Sequence, residues 1–308
     1  MGCMALSERS FVGGYYLLSI DNKDLGIVQS VDGVGIKGDL LTQAIGADNV
    51  VVKSIGGVTV EPLTFQVGAA LSSTFYDWVE ASWTHNYSRK DGSLVLCDFD
   101  MKPRHEIEFT QALVVETTVP ALDANQKSPA MLTIKLQPES IKHITKPPRN
   151  QPRGANPSGQ KQFQCQNFRF KLDHVDTGNV SKVEAFTIKQ TVKPLTTGRS
   201  RWPQYEPMKL EYPNVTITTS LEGSTELFDW HKRFVIDGDA QVEDEQTGVM
   251  SLLTPDLKTS LLDVSFEGVG ITSIAIEKSE ASARTQVKRV HAELYVSTMK
   301  LDYKAGKA

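Results

Sequence analysis

Apolar and polar residues alternate along most of this chain. The alternation runs through "VVVKSIGGVTVEPLTFQV", "SLVLCDF", "HEIEFTQALVV" and "AMLTIKLQ" in the first half. It returns in "MKLEYPNVTITT", "LLDVSFEGV", "SIAIEK" and "HAELYVSTMKL" in the second. A period of two carried by Val, Ile, Thr and aromatic residues predicts strands with one buried face. Two segments break the rule. "SSTFYDWVEASW" opens on Ser72 and Ser73 and sets Phe75, Val79, Ser82 and Trp83 along one side at helical spacing. "GSTELFDWHKRFV" opens on Ser224 and sets Leu227, Trp230 and Phe234 along one side. Serine is a favoured N-cap, and Glu226 falls in the first turn, where the helix dipole favours an acid. Each half is therefore expected to be antiparallel β with one helix of about ten residues.

The two halves are also copies. Sliding the chain by 152 positions lays Tyr16–Gly38 over Phe168–Gln190, with Asp21/Asp173, Asp24/Asp176, Gly26/Gly178, Val28/Val180, Val31/Val183, Ile36/Ile188 and Lys37/Lys189 identical. The same shift places Leu63–Trp78 on Val215–Trp230, matching Thr64/Thr216, Ser72/Ser224, Asp77/Asp229 and Trp78/Trp230. Beyond the Trp the shift grows by a few residues, as small loop insertions would make it. A tandem duplication is the reading. It predicts domains at residues 10–144 and 165–305 joined by "TKPPRNQPRGANPSGQKQFQ" (145–164), a stretch with four prolines and no acid. Such a linker is solvated and partly extended, reaching about 50 Å at 3.1 Å per residue, so the domains need not be tightly stacked.

The 308 residues suit two domains. With 40% apolar and 23% charged residues the composition is that of an ordinary globular protein, and a net charge of −4 argues against a nucleic-acid binder. Cys3, Cys97 and Cys165 are too few and too scattered for a disulfide framework or a CxxC metal site. "MGCMALSERSFVGG" has neither a basic start nor an apolar core, and Leu6 stands where a myristoylation signal wants Ser or Thr, so no signal peptide and assembly in the cytosol are expected. No run nears the roughly 18 apolar residues of a membrane helix, so no membrane insertion is expected.

No catalytic, cofactor-binding or metal site emerges from the motifs. "GVGIKG" (Gly33–Gly38) fits GxGxxG, but its flanks read as strands and the second copy has "AFTIKQ" there, so glycines at a strand bend or a crowded subunit contact are the better account. His85, His105, His143, His174, His231 and His291 have no metal-ligand spacing. The acidic "IDGDAQVEDEQTG" lacks the oxygen order of a calcium loop, while its counterpart "SWTHNYSRKDG" is basic, an opposition through which the copies could dock. The repeated Asp-Trp pair reads as structure: Trp78 and Trp230 are expected to anchor their helices on the sheet, with Asp77 and Asp229 beside them and no role in chemistry.

The order of elements resembles the tail tube protein family of contractile phages and phage-like injection systems. The resemblance rests on "FYDWV" (Phe75–Val79), "KDGSLVLCD" (Lys90–Asp98) and "IEFTQALVVETTVPALDANQKSPAMLTIKLQPESI" (Ile107–Ile141). In the second copy it rests on "LFDW" and "VSFEGVGITSIAIEKSEAS". The family's aromatic-x-x-Ala-Trp-Pro segment is reduced to Phe109–Ala112 and Phe266–Val269.

What the resemblance implies is mainly β: two tandem β-sandwich or barrel domains, each with a short flanking helix. It also implies a homo-oligomeric ring with a channel for DNA or effector cargo, stacked with tube, sheath or baseplate proteins. Three chains would supply six domains for a pseudo-six-fold ring; six chains in two tiers is the alternative. A reading of another class is a tandem carbohydrate- or ligand-binding β-sandwich, with exposed Trp83, Trp202 or Tyr205 stacking on sugars.

Overall fold

A computed structural model describes residues 14–45, 50–68, 71–145, 163–198, 200–277 and 288–304. The first copy contributes β1 (Tyr15–Ile20), β2 (Lys23–Val28), β3 (Val31–Asp32), β4 (Ile36–Ile45), β5 (Val50–Val60), β6 (Leu63–Val67) and α1 (Ser73–Trp83). After the helix come β7 (Lys90–Cys97), β8 (Pro103–Val119), β9 (Leu122–Asp123), β10 (Pro129–Ala130), β11 (Leu132–Gln137) and β12 (Ser140–Thr145). The second copy repeats the plan with β13 (Phe163–Gln164), β14 (Phe168–Leu172), β15 (Val180–Val183), β16 (Phe186–Leu195), β17 (Gln204–Glu211) and β18 (Val215–Ser220). It ends with α2 (Thr225–His231), β19 (Gln246–Leu253), β20 (Ser260–Ile276) and β21 (Arg289–Tyr303). The chain is mainly β, with two α-helices among the described residues.

Two antiparallel sheets organise these strands. One runs β2-β1-β7-β8-β11-β6-β3, with β12 on the first half of β8; the other runs β14-β19-β20-β21-β18-β15-β9. The period-two pattern explains the burial. Leu132, Ile134 and Leu136 of β11 face the core and alternate with half-buried Thr133 and Lys135. Pro138 ends β11 because it has no N–H to donate, and the ladder resumes in β12; β21 has Val296 at the matching place and runs unbroken for 15 residues. The long β8 and β20 carry a bulge at the same relative position, between Val114 and Glu116 and between Ile271 and Ser273.

The helices differ from expectation in their caps and in one terminus. α1 begins after Ser72, but among the described residues no side chain caps it and the buried Ser72 Oγ has no partner. Ser224 sits in a 3-10 turn, its hydroxyl donates to the Leu221 carbonyl at 2.7 Å, and it makes no side-chain cap hydrogen bond to α2. α2 is seven residues long and passes directly into a π-type turn, Lys232–Ile236. Its apolar side continues through that turn, where Phe234 meets Trp230 edge-on with ring centroids 6.0 Å apart.

"GVGIKG" leads from one strand into another, as its β-like flanks suggest. Gly33 has φ +89°, and a Cβ there would lie 1.9 Å from the Pro62 carbonyl oxygen, so the bend between β3 and β4 requires glycine. Residues 146–162 of the expected linker lie outside the described residues. The copies beside it are not held apart: one contiguous hydrophobic core includes Phe65, Phe75 and Trp83 of the first copy with Phe186, Phe266 and Leu301 of the second.

Candidate assembly interface

The joint between the copies is built from strand edges. β16 leaves its own sheet and adds to the second half of β8, pairing Phe186 with Val119, Thr187 with Thr118, Ile188 with Thr117 and Lys189 with Glu116. An open edge displays unpaired N–H and C=O groups, and a neighbouring strand satisfies them in a fixed register. Side chains reinforce that register. Thr118 and Thr187 share a hydroxyl hydrogen bond of 2.8 Å across the pair, and Glu116 lies between Lys135 at 3.3 Å and Lys189 at 3.8 Å. The exchange is mutual, since β9 of the first copy pairs Leu122 and Asp123 with Val183 and Lys182 of β15.

Aromatic residues close the joint below the strands. Tyr76 of α1 stacks on Tyr303 of β21, with centroids 4.0 Å apart and planes 15° from parallel. Tyr303 donates to the Leu71 carbonyl at 3.2 Å, and Tyr212 donates to the Trp83 carbonyl at 2.6 Å. Burial, with a smaller contribution from neighbouring Tyr303, pushes the Tyr76 hydroxyl well above the ordinary tyrosine value. It therefore stays protonated and donates to the Gly68 carbonyl.

Arg89, from the basic loop, also serves the joint. Its guanidinium donates to the Tyr205 carbonyl at 2.8 Å and pairs with Glu206 at 3.0 Å and Glu139 at 3.6 Å. Glu206 and Glu139, not the acidic loop, answer the charge of Arg89, and that loop stays on the surface with Val242 82% exposed.

The repeated Asp-Trp pairs occupy equivalent places. Asp77 and Asp229 are exposed; Trp78 and Trp230 are 4% and 2% exposed. The Trp78 indole donates to the Ser88 carbonyl at 2.8 Å, whereas the Trp230 indole has no partner among the described residues. The aromatic side chains considered for sugar stacking are not displayed as a platform. Trp83 is 1% and Tyr205 6% exposed, and Trp202 is half-buried against the core. Trp83 fills the space under Tyr212, and Tyr205 packs with Leu113 and Val115 inside the joint.

One element lies outside both sheets, tied to the second copy by the Arg201 guanidinium, which donates to the Ile55 carbonyl at 3.3 Å. β4 and β5 form a two-stranded hairpin paired only with itself among the described residues, and Leu40, Leu41, Val51, Val52 and Ile55 on it are each about half exposed, from 45% to 57%. An isolated hairpin is marginal in water, and clustered apolar side chains on one mark a surface awaiting a partner. The alternation in "VVVKSIGG" shows the strand but not that its apolar face lacks cover. No group of three or more metal-ligating side chains occurs among the described residues, nor does a helix long and apolar enough to cross a membrane.

Residues 13–142 match a model of the family described as T4-like virus tail tube protein gp19. The first copy belongs to the tail tube family. The second copy carries its sheet strands in the matching order, β14, β15, β18, β19, β20 and β21 standing for β1, β3, β6, β7, β8 and β11–β12.

Solved structures with a likeness include a chain of the sheath–tube complex of an extracellular contractile injection system, PVC, in its extended state. It is 18% identical, covers 45% of this chain and 94% of its own, with a TM-score of 0.41. The tube-terminating cap of the anti-feeding prophage is 18% identical over 46% of this chain and 99% of its own, with a TM-score of 0.38. Hcp1 from Flavobacterium johnsoniae is 20% identical over 49% and 99%, with a TM-score of 0.29. A comparison with curated proteins gives no match.

Proposed function

We propose that this chain is a non-catalytic structural subunit forming rings of an inner tail tube, or an adaptor ring that starts or ends one. The particle would be a contractile phage tail or phage-like injection system. Residues 10–144 and 165–305 act as two ring segments, so three chains close a pseudo-six-fold ring around a channel for DNA or protein cargo. Tube, sheath or baseplate proteins stack on it, and assembly takes place in the cytoplasm of the producing cell. Trp78 and Trp230 are the anchors that hold the single helix of each segment.

The joint between the copies carries this reading. One tube-family unit satisfies the strand edge of the next inside a single chain, and repeating that step is how a ring grows. Electron microscopy of the purified protein tests it. Rings with six lobes are expected; monomers that persist at high concentration, alone and with sheath or baseplate partners, would overturn it.

A further inference from the structure

The joint inside the chain has two halves, and each copy keeps open the half that the other copy has filled. In the first copy the second half of β8 is covered by β16, and Val119 is fully buried. The matching stretch of β20 follows from strand partners. Glu116 lies opposite Lys135 as Ser273 lies opposite Glu293, Lys135 and Glu293 in turn face the equivalent Thr64 and Thr216, and the bulges coincide. Val119 thus corresponds to Ile276. From Gly270 onward β20 pairs only with β21 among the described residues, and Ile276 is 56% exposed.

The hairpin side mirrors this. Ile188 of docked β16 is 2% exposed, and its counterpart Ile36 at the start of undocked β4 is 45% exposed. Val34 stands at φ +62°, a left-handed conformation that is costly for a β-branched residue; docked Phe186, its counterpart, is not among the residues with positive φ.

We infer that the Val34–Lys37 edge of one chain adds to the Ser273–Ile276 edge of a second copy of the chain, in the register seen inside each chain. The pairs are Val34 with Ile276, Gly35 with Ala275, Ile36 with Ile274 and Lys37 with Ser273. The side chains suit that register. Where Thr118 and Thr187 meet inside the chain, the new joint sets Ala275 against Gly35, so no hydroxyl is left unpaired. Lys189 finds Glu116 inside the chain; Lys37, ion-paired with Glu61 of its own chain, reaches Glu293 as a second acid, one strand beyond Ser273 and in contact with its hydroxyl at 3.4 Å. The cation stays on the hairpin and the acid shifts by one strand. Because β8 is already occupied, copies must alternate first with second, and only whole chains can be added.

This joint rests on the ring reading, and two readouts separate them. With Cys3 replaced by Ser, the full chain carrying Ile36→Cys and Ile274→Cys is oxidised mildly and run on a non-reducing gel, while native mass is taken on the same sample. Disulfide-linked dimers and trimers are expected. They should be absent with Ile36→Cys and Ser273→Cys, whose side chains point to opposite faces. Rings without the 36–274 link would overturn the joint and leave the ring reading standing; no association at all would overturn both.

A second pair of changes does not depend on cysteine. Lys37→Glu should weaken association by roughly tenfold, and Glu293→Lys in the same chain should restore it, as a charge pair across an interface requires. Weakening without rescue would count against the register.

Discussion

Asp77 and Trp78 are neighbours on α1 yet answer to different physics. The indole is buried and hydrogen-bonded, so Trp78→Ala should cost about 3–5 kcal/mol in urea unfolding, while Asp77→Asn on the exposed face should stay within about 0.5 kcal/mol. The pair also separates the copies. Trp78→Phe strands the Ser88 carbonyl and should cost more than Trp230→Phe, whose indole N–H has no acceptor among the described residues, by about 1 kcal/mol. The repeat of "DW" is visible in the sequence. Which indole finds an acceptor depends on where the chain after the helix passes, and no local pattern encodes that.

Asp263 gives a pH dependence at the same scale. Burial alone would raise its pKa, but the Lys304 ammonium and the hydroxyls of Ser260 and Ser251 outweigh it and hold the carboxyl below the usual value of 3.8. A carboxyl depressed in the folded state contributes stability above its unfolded pKa and loses it as pH falls through the folded one. Lys304 is raised from 10.5, first by the hydrogen bond to Asp263, so its contribution is present below that value and fades as pH rises through the higher folded pKa. Denaturant midpoints should therefore fall in acid below about pH 4, and Asp263→Asn should flatten that limb.

Among elements, strands with one face on the core were readable from alternation, and β7, β8, β11, β18, β20 and β21 fall where it places them. The caps were not. Ser72 and Ser224 are the right residues at the right places, but a preceding turn already holds Ser224, and the Ser72 hydroxyl is turned inward. Partner choice was not readable either. β4 and β16 share Ile36/Ile188 and Lys37/Lys189, yet one stands free and the other joins a different sheet, because pairing is a matter of which edge lies within reach. The free hairpin has a measurable consequence. Amides of β4 and β5 should exchange quickly in the isolated chain and slow by at least tenfold on assembly, whereas those of β20 and β21 that pair with each other should be slow in both.

At the scale of the molecule, duplication makes the contacts of the proposed ring alternate between one inside a chain and one between chains. The first copy gives its β8 edge to the second inside the chain; the equivalent β20 edge of the second is open among the described residues. The Pro-rich stretch suggested that the domains could sit apart, but the shared core and the Tyr76–Tyr303 stack hold the described parts together, because burying tyrosines and a strand edge outweighs the freedom a linker offers. In the proposed ring each chain is a fixed third. Native mass spectrometry of purified rings, combined with a count of lobes in electron micrographs, tests this most directly. Three chains and six lobes per ring are predicted; a ring holding six chains in one tier, or no ring under any condition, would contradict it.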